Sequence, residues 1–248
     1  MAADDRARGA CLVIGAGDGL GAAIARAFAG EGLTACVTRR PRHVEQVEAL
    51  ARSIVEAGGA ARAYGLDARL EAEVVALVDR IENEVGPLEA LVFNIGANVN
   101  FPIVDTTTQV YSKVWEMACL AGFLTGREAA RVMSARGRGT ILFTGATASL
   151  RGGSGYSAFA GAKHGLRALA QSMARELGPK GVHVAHIVVD GMIDGAFIRS
   201  RVPDAEQRLA REEILRPDEI ARNYVWLHGQ ARNAWTFEID LRPWAETW

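Results

Sequence analysis

Short apolar runs alternate along this chain with longer segments in which apolar residues recur at helical spacing. The runs are rich in β-branched residues and cover residues 11–14, 33–38, 88–93, 140–143 and 182–189. The clearest helical segments are residues 44–57, 70–85, 108–135 and 156–177. This alternation predicts parallel strands joined by crossover helices. Because the runs are mostly apolar along their length, we expect the sheet to be covered on both faces.

The predicted fold class is therefore α/β, a doubly wound parallel sheet with helices on both faces. A chain of 248 residues suits one large α/β domain or two small ones. No proline-rich, serine-rich or charged linker interrupts it, which favours one domain. We expect residues 1–9 to be a flexible N terminus and residues 10–248 to form that domain.

The charge balance excludes several kinds of partner. The chain carries 28 basic and 29 acidic side chains, a net charge of −1, and neither sign forms long runs. Such a surface gives no electrostatic reason to bind nucleic acid or an anionic membrane. No apolar run approaches the roughly 20 residues that cross a bilayer, and residues 1–6 are too polar for a signal peptide. We therefore expect a cytoplasmic protein without a nucleic-acid or membrane partner.

Metal binding is not indicated by the sequence. Cys11, Cys36 and Cys119 lack the spacing of metal ligands, and the first two fall inside apolar runs, where we expect small buried side chains. His183 and His186 are three residues apart on a predicted strand, so they should face opposite ways.

A glycine-rich turn follows the first predicted strand and opens an alanine-rich helix. Its residues are Gly15, Gly17, Asp18, Gly19, Leu20 and Gly21. Glycines let backbone N–H groups approach a pyrophosphate at the positive end of a helix. The position between strand and helix predicts that these residues bind a dinucleotide cofactor.

The end of the second strand indicates which dinucleotide. Arg39 and Arg40 stand there, and no carboxylate is present to hold a ribose 2′-hydroxyl. Two guanidiniums can bind a 2′-phosphate through charge-assisted hydrogen bonds, so NADP(H) is favoured over NAD(H), with solvated surface charge as the alternative. Asp67, after the third strand, is placed to accept a hydrogen bond from the adenine amino group, or else to cap the next helix.

Three stretches resemble the short-chain dehydrogenase/reductase family, over nearly the whole chain. They are the glycine turn, the segment from Phe93 to Gly96, and the segment from Tyr156 to Lys163 with the residues that follow it. The resemblance implies a single-domain Rossmann fold, a small-molecule substrate, and a homotetramer or homodimer. It also implies that Asn94, Gly96, Lys163 and Ile193 join the glycine turn in binding the cofactor.

Of the four catalytic positions that the resemblance implies, three are substituted. The family's tyrosine falls on Phe159, its serine on Ala146 and its asparagine on Cys119, whereas its lysine is retained as Lys163. In the family the tyrosine is the acid or base, and a phenyl ring has no proton to give. Loss of a general acid typically costs roughly 10²–10⁴ in rate, so we expect tyrosine-driven carbonyl reduction to be very slow.

Other side chains are candidates for the missing acid or base. Tyr156 shares a helix face with Phe159 and Lys163, although it stands near the predicted helix start. Asp190 follows the sixth strand, near the expected nicotinamide, and could be a base or simply form a turn with the next glycine. Thr147 should point away from the site if the fifth strand continues, and no sequence neighbour lowers the pKa of the Cys119 thiol.

Two C-terminal segments complete the sequence-based prediction. Residues 192–216 are predicted to be a mobile substrate loop with one small helix. The arginines of this segment hint at an acidic substrate, and they are Arg199, Arg201, Arg208 and Arg211. An aromatic tail covers residues 242–248. We expect Trp235, Trp244 and Trp248 to cover a neighbouring subunit or the chain's own pocket.

Three functional hypotheses follow from these residues. The first is an NADP(H)-binding oxidoreductase homologue that acts on an unknown small molecule by non-standard chemistry. The second is a non-catalytic NADP(H)-binding or redox-sensing module. The third is a conventional carbonyl reductase that uses Tyr156 or water as the acid. Decay to an inactive fold would leave the same substitutions.

Overall fold

Parallel strands form a single sheet in the computed structural model, which describes residues 9–246. The strands are β1 (Ala10–Ile14), β2 (Thr34–Arg39), β3 (Ala61–Gly65), β4 (Leu88–Phe93), β5 (Gly139–Thr144), β6 (Val182–Val189) and β7 (Glu238–Leu241). Within the described residues their order is β3-β2-β1-β4-β5-β6-β7, and every neighbouring pair is parallel. The connection order changes direction between β1 and β4, which is the topological switch point where sheets of this kind bind ligands.

Helices cover both faces of the sheet. They are α1 (Leu20–Gly30), α2 (Val44–Glu56), α3 (Glu71–Glu84), α4 (Thr108–Trp115), α5 (Ala121–Arg136), α6 (Ser157–Leu177), α7 (Ala196–Arg201), α8 (Ala205–Ala210) and α9 (Pro217–His228). One core lies between the sheet and α1, α2 and α9. The other lies between the sheet and α3, α5 and α6. The predicted single-domain Rossmann fold is confirmed.

The central strands are apolar because each contributes to both cores. In β1, Cys11 and Val13 pack into the core with α1, whereas Leu12 and Ile14 pack into the opposite core. All five residues of β1 are buried. Cys36 is likewise fully buried, and the three cysteines of the chain carry free thiols.

Two predictions about helices need correction. Residues 108–135 do not form one regular helix, because a π-helical turn at Glu116–Leu120 separates α4 from α5. Such turns widen the backbone spiral locally and are frequent at functional sites. The segment 192–216 contains two short helices, α7 and α8, instead of one. Among the described residues, none of the helices has the length and apolarity needed to cross a bilayer.

The tryptophans near the C terminus lie in different surroundings. Trp235 stacks on His183 of its own chain, with ring centroids 4.9 Å apart. Trp244 is 78% exposed, and its indole N–H donates to the Arg211 carbonyl oxygen at 3.3 Å. Trp248 lies outside the described residues, as does the predicted flexible N terminus apart from Gly9.

Candidate active site

A groove runs along the carboxyl ends of the strands at the switch point. Its larger part, the main cavity, has a volume of about 600 Å³ and is lined by residues that follow β4, β5 and β6 together with the start of α6. A smaller part, the side cavity, has a volume of about 230 Å³ and is lined by residues that follow β1, β2 and β3. Asn94, Ile95 and Gly96 line both, so the two cavities are adjacent. The combined shape suits an extended ligand with different groups at its two ends.

The glycine turn leaves room for such a ligand. Gly15 has a φ of +88°, a conformation that favours glycine, and a Cβ on Gly21 would overlap the Gly15 carbonyl oxygen. At Gly17 and Gly96, by contrast, a Cβ would meet no protein atom within 4 Å. The protein's own packing therefore does not require those two glycines, and both border the groove. This open backbone fits the close approach of a dinucleotide pyrophosphate to the start of α1.

The end of β2 concentrates positive charge in the side cavity. Arg39, Arg40 and His43 line it, and Arg42 lies beside them. Arg39 donates to the side-chain oxygen of Gln46. Partial burial lowers the pKa of the Arg40 guanidinium, and the neighbouring charge of Arg42 lowers it further. A cluster of like charges without enough carboxylates to balance it fits a phosphate group.

Asp67 also lines the side cavity, but its carboxylate already has a partner. The Arg69 side chain donates to it from Nε to Oδ1 at 2.9 Å and from Nη2 to Oδ2 at 2.5 Å, and the Arg69 backbone N–H donates to Oδ1 at 3.2 Å. These hydrogen bonds lower the pKa of the Asp67 carboxyl. Helix α3 begins at Glu71 without a side-chain cap, so capping is not what Asp67 does. Its contact with an adenine stays a prediction.

Three residues at the start of α6 meet in the main cavity, as their spacing predicts. Tyr156 immediately precedes the helix, and Phe159 and Lys163 follow on the face that lines the cavity. The Phe159 ring is 7% exposed and packs with Ala146, Ala148 and Tyr156. Its centroid lies 5.9 Å from the Lys163 ammonium. An aromatic ring without a hydroxyl therefore borders the ammonium.

The Lys163 ammonium is buried and bound to the backbone. Its Nζ donates to the carbonyl oxygens of Ile95 at 2.9 Å and of Thr144 at 2.8 Å. Burial lowers the pKa of Lys163 to about 7, with only a small opposing effect from Cys119. The side chain of Thr144 in turn shares a 2.7 Å hydrogen bond with the hydroxyl of Tyr224 on α9. Lys163 can thus exchange a proton near neutral pH.

The other two substituted positions are also apolar. Ala146 lines the main cavity, its backbone N–H donates to the Ser149 hydroxyl at 3.1 Å, and its carbonyl oxygen accepts from the Ser149 N–H at 2.8 Å. Cys119 sits in the π-helical turn, where it packs with Val114, Ala118 and other small residues. Burial raises the pKa of the Cys119 thiol, and the charge of Lys163 opposes that rise without cancelling it. Cys119 is therefore a poor source of thiolate.

The loop after β5 differs from its prediction. Strand β5 ends at Thr144, and Thr147 begins a short 3₁₀ turn, so the strand argument that directed its side chain away from the site is wrong. Thr147 lines the main cavity, and its hydroxyl donates to the carboxylate of Asp190. The side chain of Asp190 is only 2% exposed and lies 3.6 Å from an Nη of Arg151 and 3.7 Å from Arg242. Asp190 thus anchors the wall of the cavity from behind.

The sequence analysis set Thr147 aside and missed Arg151, and both line the main cavity. The feature of the sequence that could have pointed to this loop is the glycine pair Gly152-Gly153, which also lines the main cavity. Ile193 lines the main cavity as predicted, and it pairs with Leu215. Leu20, at the start of α1, lines it as well.

The arginines of the segment 192–216 turn out to be engaged within that segment. Arg199 pairs with Asp194 at 2.7 Å and with Glu206 at 2.5 Å. Arg208 pairs with Asp204, and Arg211 pairs with Glu213. The fourth, Arg201, lies over the ring of Phe197 at 4.2 Å. These arginines therefore give no support to the predicted preference for acidic substrates.

Comparisons with known proteins agree with this geometry. Residues 10–206 match the family model described as short chain dehydrogenase. An uncharacterized oxidoreductase of Bacillus subtilis, YxjF, is 32% identical over 194 residues, which cover 78% of this chain and 74% of that protein.

Solved structures give the same picture. A short-chain dehydrogenase from Rhodopseudomonas palustris is 49% identical and superposes with a TM-score of 0.82, covering 96% of this chain and 99% of the other. A metagenomic short-chain oxidoreductase in complex with NADP is 25% identical, with a TM-score of 0.78 and the same two coverages. Sequence and fold agree, and the chain belongs to the short-chain dehydrogenase family.

Proposed function

We propose that this protein binds NADP(H) and acts on a small molecule by chemistry that does not depend on a tyrosine acid. The observation that carries the proposal is the buried Phe159 ring 5.9 Å from the Lys163 ammonium. No hydroxyl among the described residues accepts from Lys163, because the two hydrogen bonds of its Nζ go to the carbonyl oxygens of Ile95 and Thr144.

When bound, NADPH supplies a hydride for reduction, and NADP⁺ accepts one in the reverse direction. The chain's own contribution is to bind the cofactor and to orient it. Gly15, Gly17 and Gly21 shape the turn that faces the pyrophosphate, and Arg39 and Arg40 provide charge for a 2′-phosphate. The NADP complex of a related oxidoreductase supports this choice of cofactor.

Lys163 is the residue we assign to proton exchange in the main cavity. Lys163 lines the cavity and has a pKa of about 7, so both of its protonation states are populated at neutral pH. A substrate oxygen beside the ammonium could take a proton from it directly or through one water. Tyr156 and Asp190, the other candidates for this role, are less well arranged: Tyr156 precedes the helix, and the carboxylate of Asp190 is engaged by Thr147.

The test is NADPH consumption by purified protein across a panel of simple ketones and aldehydes. We expect wild-type turnover near background, and we expect Phe159→Tyr to raise it, because the tyrosine restores an acid worth roughly 10²–10⁴ in rate. The gain should fall in the lower part of that range because Ala146 and Cys119 remain. Robust wild-type turnover that survives Lys163→Met would contradict the assignment of Lys163.

A conventional reductase that uses Tyr156 is the second candidate, and the observation in its favour is that Tyr156 lines the main cavity. This candidate predicts robust wild-type turnover that collapses in Tyr156→Phe. Tight NADPH binding without consumption of any compound, in wild type and in Phe159→Tyr alike, would instead indicate a binding or redox-sensing module. The three outcomes are distinct.

A further inference from the structure

The main cavity presents positive charge to its ligand. Its ionisable lining residues are Arg151, Tyr156 and Lys163, and none of the aspartates or glutamates in the described part of the chain lines it. The carboxylate of Asp190, which accepts from the hydroxyl of the cavity-lining Thr147, belongs to a side chain that is 2% exposed. A ligand in the cavity therefore meets cations and dipoles but no exposed anion.

Arg151 has hydrogen-bonding capacity that the protein leaves open. Its side chain is 46% exposed, and its charged contact is with Asp190 at 3.6 Å, which is longer than a hydrogen bond. Between residues 9 and 246, the hydrogen bonds of Arg151 involve its backbone N–H, which donates to the Thr147 carbonyl oxygen, and none involves its guanidinium. A guanidinium offers five N–H donors in a planar fork that matches a carboxylate.

Asp190 orients this guanidinium without using up its donors. The Asp190 carboxylate accepts from the Thr147 hydroxyl and lies 3.7 Å from Arg242. A buried carboxylate held in this way attracts the guanidinium of Arg151, a residue that lines the cavity. Precise recognition depends on such support from behind the binding residue.

The start of α6 adds to the positive potential at the same wall. Gly152, Gly153 and Tyr156 line the cavity, and α6 begins directly after them at Ser157. This helix has 21 residues, and Tyr156 makes no side-chain cap at its N terminus. The unpaired N–H groups of a helix start carry partial positive charge, which favours an anion nearby.

We propose that Arg151 is the anion-binding residue of the main cavity and that the substrate class is small organic carboxylates. The carboxylate would pair with the Arg151 guanidinium on the wall formed by the loop after β5, and the rest of the molecule would extend toward Lys163. This inference rests on the proposed function, in which the main cavity holds the substrate beside the cofactor.

The test compares carboxylates with their primary amides, which match them in shape but carry no charge. Suitable pairs are 4-oxopentanoate and 4-oxopentanamide, phenylacetate and phenylacetamide, and benzoate and benzamide. Binding to wild type is measured by calorimetry at low salt, with and without NADPH. We expect the carboxylates to bind about 10- to 100-fold more tightly than the amides, as one charge-assisted pair allows.

Arg151→Gln and Arg175→Gln have the same net charge, so comparing them separates binding by Arg151 itself from the effect of the protein's overall charge. Arg151→Gln should remove the preference for carboxylates, and Arg151→Lys should restore part of it. Arg175→Gln is the matched control, because Arg175 lies on α6 away from the cavity and donates to the Gln171 carbonyl oxygen. It should leave the preference unchanged.

A wild type that shows no preference for carboxylates, including one that binds neither set, overturns the inference. So does a preference that Arg151→Gln and Arg175→Gln reduce equally. NADPH affinity, measured separately, should be the same in wild type and Arg151→Gln. A wild-type protein that does not bind NADPH would instead count against the proposed function. Failure of the proposed function can thus be told apart from failure of the carboxylate inference.

Discussion

At the scale of single residues, the site is governed by one buried ammonium. Lys163 is 1% exposed, and its partners are neutral: two carbonyl oxygens and the face of the Phe159 ring. A charge surrounded by neutral groups loses hydration without gaining an anion, which explains why its pKa falls to about 7. Burial among neutral groups therefore makes Lys163 a group that titrates near neutral pH.

This buried lysine makes stability depend on pH. The pKa of Lys163 is about 7 in the folded protein and about 10.4 in an unfolded chain, so between these values the unfolded state binds more protons. The free energy of unfolding should therefore rise with pH in that window. Relative to Lys163→Met, wild type should gain up to about 1 kcal/mol per pH unit between about pH 7 and pH 8.5.

Chemical denaturation at several pH values measures this difference. Lys180→Met is the control, because Lys180 is 50% exposed and pairs with Glu176 on the surface. It should leave the slope of stability against pH unchanged. A constant difference between wild type and Lys163→Met across the window would show that the ammonium is not destabilised by burial.

The predictability of individual residues depended on their spacing. Phe159 and Lys163 could be placed because positions four apart on one helix share a face, and helix α6 does begin where expected. Thr147 and Arg151 could not be placed, because the direction of their side chains depends on a 3₁₀ turn after β5, and hydrophobic periodicity does not predict such a turn. Asp190 was found near the site, but its burial behind Thr147 required the folded chain.

At the scale of elements, strands were easier to predict than connections. The bounds of β4 and β6 match their predicted runs, because buried strands are mostly apolar, although β4 contains Glu89 and β6 contains His183 and His186. The π-helical turn at Glu116–Leu120 was missed, since a single extra residue barely alters a 3.6-residue period. One small helix was predicted where α7 and α8 lie, although Pro203 between them is a residue that ends helices.

The end of β2 makes a prediction that belongs to this scale. Arg39→Ala combined with Arg40→Ala should weaken NADPH binding about 10²-fold and leave NADH binding nearly unchanged, because two charge-assisted contacts to the 2′-phosphate are lost. Fluorescence titration with both cofactors measures this. Arg52→Ala, on the exposed side of α2, is the control. Equal weakening of NADPH and NADH binding would mean that the two arginines do not bind the 2′-phosphate.

At the scale of the whole molecule, one surface remains apolar. Large exposed side chains follow the run from α4 to α5, and they are Tyr111, Trp115, Leu120 and Phe123. The ring of Phe123 is 40% exposed, with Arg127 above it at 5.3 Å. Contiguous apolar surface of this kind marks contacts between proteins. It supports the expectation of a homotetramer or homodimer more directly than the tail does, since Trp244 contacts its own chain.

Assembly in solution tests this surface. Phe123→Glu should shift the protein to a smaller species in light scattering coupled to size exclusion, because a carboxylate cannot be buried in an apolar contact without a partner. Val55→Glu changes a residue that is 53% exposed on α2, and it should leave the mass unchanged. If wild type is already monomeric, or if both variants dissociate alike, the α4–α5 surface is not the interface.

Thr144 connects helix α9 to the Lys163 ammonium. The Thr144 carbonyl oxygen holds the Lys163 ammonium, while its hydroxyl is bonded to Tyr224 in the core beneath α9. Tyr224, which lines neither cavity, is therefore linked to the Lys163 ammonium through one intervening residue. This link crosses the sheet, because α9 packs on the face opposite to α6.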